Sequence, residues 1–220
     1  MMETVNKEIE ENYWNDYYGE GVAPSFPSSF ASLVVNKIDP NKWLIDLGCG
    51  NGRDSLFFAN NNINTFAIDS SKNTIQNNQK NILKSSETKL IFEVGDFMEL
   101  SNVDNLPPSI GTIYSRFTLH SVNQEGYYQT INEAYKALDS NGLFLIEVRS
   151  VNDPLCGQGK NCGDNGFIST HYRRFIEMRE ILADLQNYNF SIEMAQEDYL
   201  SSWYKEDKAV VIRIIARRNE

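Results

Sequence analysis

Cysteine, positive charge and long hydrophobic runs are all scarce in this chain. Its three cysteines form no regular framework, so the sequence fits a reduced, cytoplasmic protein better than a disulfide scaffold. Lys and Arg number 20 against 30 Asp and Glu, and the formal net charge of -10 argues against a nucleic-acid or anionic-membrane partner. No apolar run approaches the roughly 20 residues that span a bilayer, so we expect no membrane segment.

Metal-binding patterns are missing as well. Cys156 and Cys162 are more widely spaced than the usual zinc pair, and no second cysteine pair accompanies them. No cluster of Asp, Glu and His indicates a divalent cation. We therefore expect chemistry that needs no metal.

The most informative stretch that is present is WLIDLGCGNGRDS, residues 43–55. A short apolar run with strand propensity leads into three glycines at alternate positions, and a segment that can begin a helix follows. Because glycine lacks a Cβ, the backbone there can turn sharply and a ligand can lie against bare peptide. A strand, a glycine turn and a helix N-terminus together predict a cofactor site at the carboxyl end of a strand.

The spacing of these glycines distinguishes between cofactors. A dinucleotide fingerprint needs a third glycine three positions after Gly50, where this chain has Arg53 instead. The third glycine comes one residue earlier, at Gly52. A nicotinamide-dependent oxidoreductase on a Rossmann-like sheet is thereby disfavoured, although it stays open as an alternative.

The stretch DLGCGNG closely resembles the first motif of class I S-adenosylmethionine-dependent methyltransferases. The resemblance implies S-adenosyl-L-methionine as the cofactor, with its methionine portion facing the loop. Arg53 is expected to reach the cofactor carboxylate, and a surface arginine on the first helical turn is the alternative. The cofactor residues implied at this loop are Asp46, Gly48, Gly50, Gly52 and Arg53.

Two further strand ends carry acids. Asp69, followed by Ser70, lies about 20 residues past the glycine turn, the spacing at which an acid meets ribose hydroxyls. Taken alone, Asp69 would fit a helix N-cap equally well. The resemblance assigns Asp96 and Phe97 to the adenine, where a turn acid and a core phenylalanine are the alternative. It places Ser115 and Arg116 beside the cofactor sulfur.

Strand-like and helix-like segments alternate along the chain, which indicates an α/β fold. We predict strands ending near Gly48, Asp69, Val94, Arg116 and Arg149, helices over residues 53–61, 71–84, 124–138 and 171–187, and late strands over 190–199 and 209–217. The resemblance adds their order: a Rossmann-like, seven-stranded, mostly parallel sheet with helices on both faces and a C-terminal antiparallel hairpin.

A single domain, active as a monomer or a homodimer, fits the length of 220 residues. We divide it into an N-terminal helical lid segment (1–40), a cofactor-binding core (41–149), an acceptor-site loop and helix (150–188) and C-terminal strands (189–220). Trp14 and Tyr18 in the first segment are expected to cover the cofactor, and packing on the sheet is the alternative. The glycine-rich stretch 153–164 is predicted to be a mobile segment over the substrate.

Most of the arginines and histidines of interest follow strands four and five. Since ligands of open α/β sheets bind outside the carboxyl ends of the strands, these groups are expected to share one pocket. We predict a small anionic acceptor, a phosphate, phosphonate or carboxylate or a sugar-linked molecule. The alternative is that Arg173 and Arg174 form a solvated helix face and that Arg116 pairs with a core acid. The candidates are His120, Arg149, His171, Tyr172, Arg173 and Arg174.

The chemistry implied is an in-line displacement of the methyl group, with O-methyl transfer favoured. A neutral hydroxyl acceptor needs a base, for which His120 or His171 is the candidate, whereas an oxyanion needs none. N-methylation is disfavoured because no Asn/Asp-Pro-Pro-Tyr/Phe motif follows the fourth strand. The Ser-Arg-Phe and His-Tyr-Arg-Arg-Phe runs are similar to bacterial methyltransferases of small molecules or surface-glycan precursors. A non-catalytic, cofactor-binding homologue stays open.

Overall fold

The computed structural model describes residues 24–81, 89–199, 202 and 207–220. The predicted cofactor-covering residues Trp14 and Tyr18 lie outside the described residues, as does most of the predicted lid segment. In the part of the chain that is described, no helix is long and apolar enough to cross a membrane.

The described residues contain ten strands and five α-helices. The strands are β1 (Trp43–Leu47), β2 (Thr65–Asp69), β3 (Leu90–Val94), β4 (Ile110–Arg116), β5 (Leu143–Arg149), β6 (Lys160–Gly163), β7 (Gly166–Ile168), β8 (Tyr172–Arg174), β9 (Phe190–Asp198) and β10 (Val211–Arg218). The helices are α1 (Ser29–Val34), α2 (Arg53–Asn60), α3 (Lys72–Asn81), α4 (Gln124–Ala137) and α5 (Met178–Asn187). Two 3-10 turns span Val35–Lys37 and Phe97–Asn102.

Seven strands form one sheet in the order β3-β2-β1-β4-β5-β10-β9. The first five strands are parallel, and β10 runs antiparallel to both β5 and β9. The predicted seven-stranded, mostly parallel sheet with a C-terminal antiparallel hairpin is therefore confirmed. Because the five parallel strands end at one edge, the residues predicted at those ends share that edge.

Both faces of the sheet are buried under helices. In β1 the neighbouring side chains Leu44 and Ile45 point to opposite faces, as the two-residue repeat of a strand requires. Leu44 packs with Phe30 of α1 and Phe58 of α2. Ile45 belongs to the larger core that includes residues of α4 and α5. Because helices cover both faces of the sheet, side chains on both faces of the central strands are apolar. Their sequences are therefore nearly continuous apolar runs.

The helix predicted over 171–187 is wrong in its first half. Only Met178–Asn187 is helical, and its Ile181 and Leu185 are buried in the core. Residues 172–174 form β8, the last strand of a small antiparallel sheet with β6 and β7. Most of the stretch predicted as a mobile loop precedes this sheet, but its last residues form β6.

A glycine explains why residues 172–174 pair as a strand. A Cβ on Gly166 would lie 2.4 Å from the hydroxyl of Tyr172, so the tyrosine ring occupies the space that a side chain on β7 would fill. That contact is made across strands and is invisible in the helical spacing of the apolar residues. The apolar spacing that predicted a helix from residue 171 therefore belongs to Met178–Asn187 alone. In residues 172–174, pairing with β7 outweighs the helical pattern.

Candidate functional site

The glycine loop between β1 and α2 leaves no room for side chains at its two outer positions. Gly48 has φ +62° and Gly52 has φ +72°, a region in which other residues are strained. A Cβ on Gly48 would lie 2.6 Å from Thr118 Cγ2, and one on Gly52 would lie 2.7 Å from Phe92 Cζ. The loop thus exposes bare backbone at the sheet edge, as a cofactor cradle requires.

Hydrogen bonds lock the middle of this loop to the next strand. The Gly50 N–H donates to Asp69 Oδ2 (3.0 Å), and the Ser71 N–H donates to Asp69 Oδ1 (2.9 Å). Asn78 of α3 donates its amide to the Gly50 carbonyl (2.7 Å), a support that the sequence patterns did not indicate. Burial raises the pKa of Asp69, although both amide bonds oppose the rise. Ser70 beside it is exposed.

Asp46 lies beneath the loop rather than on its surface. Its carboxyl is buried and accepts a 2.5 Å hydrogen bond from the Ser55 hydroxyl at the start of α2. Burial raises the pKa of Asp46 to about 8, and the nearby carboxylates of Asp54 and Asp69 add to the rise.

This raised pKa predicts a pH-dependent gain in stability for Asp46→Asn. The unfolded carboxyl ionises near pH 4 and the folded one near pH 8, so the wild-type protein loses stability as the pH rises across that window. The Asn variant keeps the acceptor for Ser55 and has no such loss. Its melting temperature should exceed the wild-type value at pH 8 and approach it at pH 4.

Asp139→Asn is the control, because its expected change in stability has the opposite sign. Hydrogen bonds from Lys42 and Ser109 hold the pKa of Asp139 below its usual range although partial burial opposes them, so that variant should lose stability at pH 7. If the melting temperatures of Asp46→Asn and the wild type differ by the same amount at every pH, that result would contradict a buried, protonated Asp46 carboxyl.

The remaining predicted cofactor residues have the following partners. Asp96 Oδ1 caps the 3-10 turn by accepting from the Met98 N–H (2.9 Å), and the ring of Phe97 lies beside Gly48. Ser115 is buried and shares a hydrogen bond with the Thr118 hydroxyl. Arg53 Nη1 donates to the Phe26 carbonyl (3.2 Å). All of them lie along the same edge as the glycine loop.

A second group of side chains gathers where β4 and β5 end. The centre of this group is Phe117, which has the strained φ of +63°. The guanidinium of Arg116 lies 4.2 Å from its ring centroid, and that of Arg149 lies 5.5 Å away. The His120 ring lies 4.9 Å from it. We name Phe117, Arg116, Arg149 and His120 the strand-end cluster; Phe117 was not among the predicted site residues.

Two of these arginines already have carboxylate partners. Arg116 Nε pairs with Glu147 Oε1 at 2.9 Å. Arg149 is buried and pairs with Asp153 Oδ2 at 2.8 Å and with Asp207. Arg149 therefore shapes the cluster as half of an ion-pair network, and its direct contact with an acceptor anion stays a prediction.

Strand β8 separates the two adjacent arginines that the sequence grouped together. Successive residues of a strand point to opposite faces. Arg174 is 1% exposed, pairs with Glu180 and stacks 4.7 Å from the Tyr127 ring, whereas half-buried Arg173 donates to the Ser169 hydroxyl (3.2 Å). Tyr172, on the same face as Arg174, covers Gly166. Of the two β8 arginines, Arg173 is the one whose charge helps to lower the pKa of both histidines.

Both histidines are buried and held neutral. Burial, with Arg149 and Arg173 next, lowers the pKa of His120 well below its usual range. Burial, with Arg173 and then Arg149, lowers the pKa of His171 to about 3. His171 Nδ1 shares a 3.1 Å hydrogen bond with the Thr170 hydroxyl. The predicted pair of histidines is therefore brought together in one positively charged environment. The described residues include no group of three metal-ligating side chains.

Comparison with known proteins identifies the family and the fold of the chain. The methyltransferase-domain family model matches residues 38–207. An S-adenosylmethionine-dependent methyltransferase from Methanosarcina mazei is 16% identical, covering 85% of this chain and 97% of that one, with a TM-score of 0.68. One from Clostridium acetobutylicum is 13% identical, covering 98% and 100%, with a TM-score of 0.67. None of the curated proteins compared matches the chain significantly.

A third structure carries ligands. The 1,6-didemethyltoxoflavin-N1-methyltransferase of Burkholderia thailandensis was solved with bound 1,6-didemethyltoxoflavin and S-adenosylhomocysteine. It is 14% identical to this chain, covers 97% of it and 89% of its own length, and has a TM-score of 0.67. At such identities the similarity shows a shared fold.

Proposed function

Since the chain belongs to the class I S-adenosylmethionine-dependent methyltransferases, we propose that it methylates an oxygen of a small anionic acceptor. The observation that carries the acceptor class is His120, which is buried and surrounded by Arg149, Arg173 and Arg116. Because Arg116 and Arg149 are paired with carboxylates, we assign the contact with a negatively charged ligand chiefly to Arg173 of β8.

S-adenosyl-L-methionine is the cofactor, and when bound it supplies a methyl group on a positively charged sulfur. We assign its binding to the edge formed by the ends of β1, β2 and β3. The loop glycines would give it bare backbone, and Asp69 keeps acceptor capacity on a carboxylate held by two amides. Arg53, Asp96, Phe97, Ser115 and Ser70 remain assigned to the same ligand.

The protein's contribution is chiefly to orientation. Holding two reactants in line can contribute on the order of 7–11 kcal/mol to lowering the barrier. We assign the positioning of the acceptor to Phe117 and to the paired arginines Arg116 and Arg149 that lie against its ring. Oxygen is favoured over nitrogen because β4 ends in Ser115-Arg116 and continues into Phe117-Thr118, with no Asn/Asp-Pro-Pro-Tyr/Phe motif there.

Cofactor titration and acceptor screening test this proposal together. Calorimetry should show binding of S-adenosylhomocysteine and none of NAD, which separates the methyltransferase from a nicotinamide enzyme. Labelled S-adenosylmethionine should then transfer its methyl group to members of a panel of phosphate, phosphonate and carboxylate acceptors. Cofactor binding without transfer to any of them would favour the non-catalytic homologue. A monomeric or dimeric state and a cytoplasmic location remain predictions.

Arg173→Ala should raise the acceptor KM about 10- to 100-fold, the range of a lost hydrogen bond to a charged group. Its charge acts on both histidines from half-buried β8, so removing it weakens anion binding without opening the core. Steady-state kinetics with an ionised acceptor from the panel measures the change. Exposed Arg179→Ala is the matched control and should leave KM unchanged. An unchanged KM in Arg173→Ala would contradict the anion pocket.

A further inference from the structure

The hydrogen bonds of His120 fix which of its ring nitrogens carries the proton. His120 Nδ1 accepts the backbone N–H of Arg149 at 3.1 Å, so the hydrogen of the neutral ring lies on Nε2. The ring also packs at a tilt against Phe117 and is 4% exposed. The backbone of His120 is held in addition, because its carbonyl accepts the N–H of Arg174 at 2.8 Å.

This arrangement leaves the ring no lone pair with which to take a proton. Nε2 can only donate, and Nδ1 would have to release the Arg149 amide, leaving a buried donor without a partner. Arg149 and Arg173 further oppose a positive charge on the ring, and the lowered pKa of His120 agrees with this.

The carboxylates placed near this edge are engaged as well. Glu147 accepts from both Arg116 and Arg213, at 2.9 and 2.6 Å. Asp153 accepts from Arg149 and also from the Val210 N–H at 3.0 Å. Asp207 pairs with Arg149. Among the described residues of the strand-end cluster and its partners, each acid is therefore paired with an arginine.

We infer that His120 binds the acceptor as a hydrogen-bond donor through Nε2–H, and that the acceptor oxygen is already ionised when it enters the site. His171, the other candidate base, shares its Nδ1 with the Thr170 hydroxyl, and burial lowers its pKa to about 3. The inference rests on the proposed function and narrows its substrates to carboxylates, phosphates and phosphonates in place of neutral alcohols. The oxyanion forms the new O–C bond, the C–S bond breaks with its electron pair left on sulfur, and no proton leaves the acceptor. Opposite charges cancel in this step, which a site shielded from water favours.

The tautomer can be measured without any turnover. Nitrogen-15 NMR of imidazole-labelled protein at pH 7 should show His120 neutral with its hydrogen on Nε2. A hydrogen on Nδ1, or a doubly protonated ring, would overturn the inference even if the protein proves to be an active methyltransferase.

Two substitutions separate a donor from a base. The amide nitrogen of His120→Gln can take the place of Nε2–H, whereas His120→Ala has no donor. We expect the Ala variant to raise the acceptor KM about 10-fold or more, and the Gln variant to hold it at least about fivefold below the Ala value, with similar kcat in both. A general base predicts instead that both variants lose kcat by roughly 10²- to 10⁴-fold.

The acceptor panel completes the test. Wild-type protein should methylate an ionised acceptor and not the alcohol of the same shape, with no proton released into a weakly buffered solution. Methylation of the alcohol alone would overturn this inference while leaving a methyltransferase in place. Failure to bind S-adenosylhomocysteine would instead contradict the proposed function, and the NMR result would still report on His120.

Discussion

Gly48→Ala should weaken S-adenosylhomocysteine binding by at least about 100-fold while the seven-stranded sheet still forms. The left-handed backbone at Gly48 costs an alanine roughly 1–2 kcal/mol. The new Cβ would also lie 2.6 Å from Thr118 Cγ2. Thr118 is buried and bonded to Ser115 at the end of β4, so it cannot move without disturbing the sheet edge. The loop must therefore leave the conformation that the cofactor needs.

Another glycine separates backbone strain from the steric clash. Gly157 has φ +85°, and no atom lies within 4 Å of the position of its Cβ. Gly157→Ala should therefore lower stability by the backbone cost alone and leave cofactor affinity unchanged. Thr118→Ser removes the clashing methyl group and should restore part of the affinity in the double variant. Calorimetry measures the affinity for S-adenosylhomocysteine of the wild type, the two glycine variants and the double variant. An affinity equal to wild type in Gly48→Ala would contradict the proposed cofactor cradle.

Arg213→Met should lower the free energy of unfolding by about 3 kcal/mol, the lower end of the range for breaking a buried ion pair. Arg213 is 3% exposed in β10 and bonds to Glu147 Oε2 at 2.6 Å. It also pairs with Asp198 at 2.9 Å and donates to the Ser29 hydroxyl at 2.7 Å. Glu147 is fully buried, and after the change it keeps Arg116 as its remaining cationic partner.

Arg217→Met on the same strand is the matched control. Its ion pair with Glu193 is 37% exposed on both sides, so its loss should cost less than about 1 kcal/mol. Urea denaturation of the two variants measures the difference. Equal, small losses in both would show that the buried network contributes no more than a surface pair. Adding Glu147→Gln to Arg213→Met should recover part of the loss, because the buried charge is then removed.

The glycine loop and the acid of the next strand, to which we assign the cofactor, could be predicted from sequence because each of these parts is local. The loop glycines lie within five consecutive residues, and Asp69 ends the next strand along the chain. A parallel sheet then brings successive strand ends to one edge, so spacing along the chain translates into position in space. Asn78 escaped prediction because it supports the Gly50 carbonyl from a helix 28 residues away, and no motif records that contact.

The acceptor half depended on contacts between distant segments. Arg173 and Arg174 are adjacent in a run that reads as a helix start, yet strand pairing with β7 sends them to opposite faces. Arg149 was expected to bind an anion, and the fold supplies it with Asp153 and Asp207 as partners. Phe117 lies at the centre of its cluster because three side chains surround its ring. Two of them, His120 and Arg149, follow it in the chain by 3 and 32 residues.

Sequence by itself thus determined the α/β class, the cofactor and the edge of the sheet to which we assign it, because glycine spacing and apolar periodicity are properties of short segments. Tertiary structure alone decided which cations are already neutralised, which nitrogen of His120 carries its hydrogen and which arginine of β8 acts on the histidines. These depend on burial and on partners from other strands, since charge and hydrogen-bond direction are set by what surrounds a side chain in space.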